Sequence, residues 1–106
     1  MKLHVVFNRY GDKVGDLDSM DYALSVLDKV ENSDYELIVN VANYLVILCF
    51  RILVKEGKIK PYNELFLYDK DTDPNLNKPI IIDKKGEQSY YTENMCKYSD
   101  YYLRLL

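Results

Sequence analysis

ELIVNVANYLVILCFRILVKEG, residues 36–57, is the stretch that decides the fold. Two periods are joined in it. Residues 35–39 (YELIV) are short, β-branched and preceded by the turn-like Asn32-Ser33-Asp34, which predicts a buried strand. From Asn40 the period changes. At about 100° per residue, Asn40, Asn43, Arg51 and Lys55 share one narrow polar stripe, with Tyr44 and Ile47 inside it. Val41, Ala42, Leu45, Val46, Leu48, Cys49, Phe50, Ile52, Leu53 and Val54 occupy the rest of the wheel. A helix wetted on so thin a stripe belongs in a core. Gly57 is its expected left-handed cap, with Lys55 and Lys58 near the negative end of the dipole.

A membrane span is the rival reading. The apolar run over residues 41–54 is broken by Asn43 and Arg51, and a span needs roughly 17–25 apolar residues. It is not N-terminal, as a signal peptide is. The core helix is preferred.

The rest of the chain is consistent with one domain over residues 1–106. An apolar fraction of 48% and three prolines argue against disorder. Net charge is −3 with acids and bases interspersed, so the basic footprint of a nucleic-acid binder is missing and nucleic acid is not the expected partner. Cys49 and Cys96 are the only cysteines, and without a secretion signal they predict reduced thiols in a cytoplasmic protein.

Residues 2–9 (KLHVVFNR) read as a first strand. It contains His4, the only histidine, which lacks the second imidazole or thiol that a zinc site needs. Residues 10–18 (YGDKVGDLD) form a turn between strand and helix, where dinucleotide folds place their phosphate loop. Gly11 and Gly15 do not make the GxGxxG spacing, and Asp12, Asp16 and Asp18 repel phosphate. Met20, Ala23, Leu24, Leu27 and Val30 recur at helical spacing, predicting a helix over residues 19–31 capped by Asp18 or Ser19. After the opening stretch come a strand at 64–68, an acidic loop, a strand at 79–83, a turn at 84–87 and a short return through 88–91. Residues 92–106 complete the chain as a helix with Met95, Tyr98, Tyr102 and Leu105 on one stripe. The expected fold is α/β in the order βαβαββ(β)α. Its small, mostly parallel sheet has right-handed crossovers, an antiparallel edge hairpin and a C-terminal helix.

Two constellations carry chemistry. Asp69, Asp71 and Asp73 follow a strand, and alternate carboxylates suit a hard cation such as Mg²⁺. As an EF-hand the loop fails, because Pro74 and Ile80 stand where glycine and glutamate are required. The second constellation is the tyrosine-rich end. Tyr91, Tyr98, Tyr101 and Tyr102 offer large apolar rings with polar tips, the composition of a partner-binding surface. The bland reading is a helix packed across the sheet.

A strand ending in Asp-x-Asp is similar to the metal-binding end of a Toprim nuclease or primase domain. That family carries a glutamate at the end of its first strand, where this chain has Phe7-Asn8-Arg9. The resemblance implies a degenerate metal-dependent nuclease or phosphoryl-transfer domain using Asp69, Asp71 and Asp73 with Mg²⁺.

Residues 36–87 also resemble the C-terminal lobe of SMC-like and overcoming-lysogenization-defect-like AAA/ABC ATPases. The resemblance runs through ELIVN, VANYLVILCFRI, KEGKI, ELFLYD and IIIDKKG, in that order. Val41-Ala42-Asn43 replaces the family's switch histidine segment, and no Walker A motif is present. What this implies is a lobe without an ATP site.

The preferred functional expectation is therefore a non-catalytic protein-binding module, without cofactor, that regulates or inhibits a larger protein. A phage-type anti-defence factor is one such regulator. The metal-dependent domain is the alternative, and self-association through the tyrosine helix is a third possibility.

Overall fold

The structure, a computed structural model, describes residues 2–32, 36–60 and 64–105, apart from the side chains of residues 99, 102 and 103. β1 (Lys2–Asp12) is the central strand, paired along both edges, and its Val5, Val6 and Phe7 are buried on both faces of the sheet. β2 (Glu36–Val41) and β3 (Leu65–Asp69) flank it in parallel, in register from Lys2↔Glu36 and Leu3↔Leu65 to Phe7↔Val41 and Phe7↔Asp69. β4 (Ile80–Ile81) adds antiparallel to β3, giving the order β2-β1-β3-β4. The expected mostly parallel α/β sheet with an antiparallel edge is present. The last strand is shorter than the expected 79–83, because Asp83 turns its carboxylate onto the backbone N–H groups of Lys85 and Glu87. The return segment reduces to one bridge, Ile82↔Gln88.

The first strand runs three residues beyond the expected Arg9. Both Phe7 and Asp12 pair with Val41, so β1 bulges between them and curls over the end of β2. Gly11 makes this possible. A Cβ there would sit 2.7 Å from the backbone of Asn40 and Val41. The glycine serves strand approach, not a phosphate loop.

Three helices follow from local chemistry. α1 (Ser19–Glu31) has the predicted bounds. α2 (Tyr44–Lys55) starts later than the expected residue 40, since Asn40 and Val41 remain in β2. Asn43 is its N-cap: its side-chain oxygen accepts the Leu45 N–H at 3.0 Å, and its amide donates to Val14 O and Asp16 Oδ1. At the other end, Gly57 has φ +77°, and the N–H groups of Gly57 and Lys58 reach back to Val54 and Leu53, closing a Schellman cap. α3 (Glu93–Leu105) completes the chain.

The polar stripe of the central helix is not where the wheel places it. Tyr44 and Ile47 are buried, and Leu45, Leu48, Ile52 and Lys55 are left on the outward face. Arg51 is the reason. Its guanidinium folds onto the residue 83–91 segment, donating through Nε to Gly86 O at 2.7 Å and through Nη1 to Gln88 Oε1 at 3.2 Å. Through Nη2 it reaches Tyr91 OH at 3.1 Å and Glu87 Oε2 at 3.4 Å. The side chain expected to be wet is a clamp.

Leu3, Val5, Phe7, Val41, Leu65 and Leu67 share one core with Ala23, Val26 and Leu27 of α1 and Ile47, Phe50 and Leu53 of α2. The opposite sheet face carries His4, Ile38, Phe66 and Tyr68, with Ile38 59% exposed. Because β2 and β3 flank β1 on opposite sides while α1 and α2 pack on the same face, one of the two crossovers is left-handed. Two right-handed crossovers would have put the helices on opposite faces. On the outer face His4 stacks on Phe66 at 5.3 Å, and one tautomer satisfies it: Nε2–H donates to Glu36 while Nδ1 accepts from Tyr68 OH. The lone histidine is a packed sheet residue.

Tyr22 of α1 donates its hydroxyl to Asp12 Oδ2 at 3.1 Å. Burial first, and then the Asp12 carboxylate, push this phenol up from 10.0 to about 12. A phenol held protonated in the folded state stabilises fully below the unfolded value, and that contribution is lost as pH rises from 10.0 to about 12. A Tyr22→Phe variant is expected to show a shallower fall in stability across that window. Phenolate absorbance and urea midpoints at stepped pH check it.

Candidate functional site

The chain leaves β1 toward β2 and later returns past it to β3, so the order reverses at the carboxyl end of β1. Open α/β sheets bind ligands outside the carboxyl ends of their strands. A crevice of about 280 Å³ lies there. Each of the three parallel strands contributes to it: Phe7 and Arg9 from β1, Ala42 after β2, and Asp71 after β3. α3 closes the fourth side with Asn94, Lys97, Tyr98 and Tyr101.

The floor is aromatic. Phe7, Tyr44 and Tyr98 form a triangle with centroids 5.6–5.7 Å apart in tilted and edge-on arrangements. Tyr98 donates its hydroxyl to Ala42 O at 3.5 Å, and burial pushes the phenols of Tyr44 and Tyr98 up, so both act as neutral hydrogen-bonding groups. The rim is polar and mixed in sign. Arg9 Nε lies 3.5 Å from Asp71 Oδ1, and its guanidinium also covers the Tyr10 ring. Tyr101 stands outward, 57% exposed, with the Arg104 guanidinium 5.8 Å from its ring centroid.

The tyrosines expected to act together are divided by the structure. Tyr98 and Tyr101 line the crevice, one as floor and one as rim. Tyr91 belongs to the Arg51 clamp, donating to Glu87 Oε2 while its ring lies under the Arg51 guanidinium. The side chain of Tyr102 lies outside the described residues. Arg9, Asn94 and Lys97 were not singled out by the sequence. The usable signal was their place at a strand end and one helical turn apart in the last helix.

The three aspartates take three separate tasks. Asp69 is 2% exposed; its Oδ1 accepts the Asp71 N–H, and its Oδ2 accepts the Thr92 hydroxyl at 2.5 Å and the Asn94 amide at 3.5 Å. Thr92 in turn accepts the Met95 N–H, so Asp69 anchors the first turn of α3. Asp71 pairs with Arg9, and Asp73 accepts the N–H groups of Asn77 and Lys78 in the following turn. Among the described residues no three His, Cys, Asp or Glu side chains gather as a metal-binding group. Both Asp69 oxygens already hold donors within the fold. Asp69→Ala is expected to cost about 2 kcal/mol, through a lost cap and unpaired buried donors, with faster amide exchange at the start of α3. Wild-type stability should not change on adding Mg²⁺. Thermal unfolding with and without the ion measures both.

Cys49 is buried on α2, where burial pushes its thiol up and away from nucleophilic use, and Cys96 is exposed on α3. No described helix is long and apolar enough to cross a membrane. The chain matches no protein-family model, no curated protein and no solved structure.

Proposed function

We propose that the protein is a non-catalytic protein-binding module that regulates or inhibits a larger protein partner, docking it at the crevice between β1 and α3. The observation that carries this reading is Tyr101. It stands 57% exposed beside an aromatic floor, with Arg9 and Lys97 on the same rim. Tyrosine and arginine around a desolvated pocket are the usual anchors of protein interfaces. At about 280 Å³ the crevice sits just below the range of roughly 300–1,000 Å³ typical of small-molecule sites and takes one partner side chain. The resemblance of residues 36–87 to an ATPase lobe supports a nucleotide-driven machine as the larger partner, and an anti-defence role in the cytoplasm is its narrower form.

Quantitative capture from the native host tests this. Tyr101→Ala and Arg9→Glu are each expected to weaken recovery of the partner roughly tenfold, as interface anchors do. The exposed Leu24→Ala change on α1 should leave it intact. Equal recovery by all of these proteins would refute the crevice as the docking site.

A further inference from the structure

A second hollow, of about 290 Å³, opens on the outward face of α2 and shares no lining residue with the crevice. Leu48 and Ile52 form its floor, and Ile52 is 43% exposed. The turn at Lys85-Gly86-Glu87 forms its wall. That wall is fixed: Gly86 lies so close to α2 that a Cβ would come within 2.7 Å of Arg51 O, and Arg51 Nε holds the Gly86 carbonyl.

The charges on the rim are unequal. Every nitrogen of the Arg51 guanidinium is engaged within the fold, and the Glu87 carboxylate is engaged by Arg51 and Tyr91, so these two charges answer each other. What remains is the ammonium groups of Lys55 and Lys85. Both residues are exposed, and neither forms an ion pair among the described residues. Two uncompensated cations over an apolar floor give this hollow a local positive charge in a chain of net charge −3. Lysines are mobile point charges, suited to carboxylates in variable positions around an apolar anchor.

We propose that this hollow docks an acidic segment of a partner protein, seating one apolar side chain on Leu48 and Ile52 and carboxylates on Lys55 and Lys85. Complementary charge chooses the segment, and the apolar floor holds it. The site works independently of the crevice at the carboxyl end of the sheet.

The test is titration of the ¹⁵N-labelled chain with three capped peptides. One has glutamates around two leucines a helical turn apart. In the other two, every glutamate is replaced by glutamine or by lysine. The acidic peptide should shift amides within residues 48–55 and 84–87 and bind about tenfold more tightly than the glutamine peptide, with the lysine peptide weaker still. Lys55→Glu with Lys85→Glu should cost about tenfold in affinity, and Ile52→Asn should weaken all three peptides. Tyr101→Ala should change nothing. Both lysines lie outside the core, and the milder Lys55→Gln serves if the double reversal disturbs the fold. Four outcomes would overturn the proposal: equal binding of the three peptides, affinity indifferent to the lysine changes, shifts centred on Phe7 and Lys97, or no binding at millimolar peptide. Inorganic phosphate producing the same shifts at the same concentration would also overturn it, since the site would then recognise any small anion.

Discussion

Phe50→Ala is expected to destabilise the fold by about 4 kcal/mol, because it removes the largest side chain in a fully enclosed core position and leaves a cavity. Domains of this size are stable by only about 5–15 kcal/mol, so much of the margin would go. Ile52→Ala, two residues along the same helix, should cost no more than about 0.5 kcal/mol, because Ile52 is 43% exposed. Helical periodicity alone places both residues on the apolar side. Urea unfolding of the two variants separates that reading from the observed packing. A comparable loss in both would mean that α2 is rotated from the orientation described.

Gly86→Ala carries the second large effect, about 3 kcal/mol. Two penalties combine there. Gly86 has φ +81°, which costs an L-residue about 1–2 kcal/mol, and the new methyl would meet Arg51 O at 2.7 Å on the rigid backbone of α2. Gly57 supplies the control. It has a similar φ of +77° but no atom within 4 Å of a Cβ, so Gly57→Ala should show the conformational penalty alone, about 1 kcal/mol. The difference between the two midpoints measures how firmly the 83–91 segment is pressed onto α2.

These positions show which information the sequence carried. The β-branched run at the start of the opening stretch and the short continuous apolar runs of β1 and β3 were sufficient to name the strands, although β2 proves half-exposed at Leu37, Val39 and Asn40 and exposed at Ile38 rather than buried. The start of α2 was not legible. Asn40 and Asn43 fit the same polar stripe; Asn43 caps the helix by accepting the Leu45 N–H, and its amide is held in place by Val14 and Asp16, contacts that no local pattern shows. Arg51 was misplaced for a related reason. A wheel assigns a cation to water, whereas a guanidinium with five donors can be satisfied by a distant turn. The same holds at the candidate site. Asp69, Asp71 and Asp73 suggested a cation because their spacing is regular, yet each carboxylate has its own backbone or side-chain partner. Tyr98 and Tyr101 were visible as aromatic residues of the last helix. That they meet Phe7 and Arg9 depends on strand order, which no local pattern encodes.

The central claim is that a protein partner docks at the crevice where β1, β2 and β3 end. A photo-crosslinking amino acid placed at Tyr101 tests it in the native host. The account predicts one dominant adduct that disappears when Arg9→Glu is combined with it and persists when Leu24→Ala is. A scatter of weak adducts, or one adduct indifferent to Arg9, would contradict it.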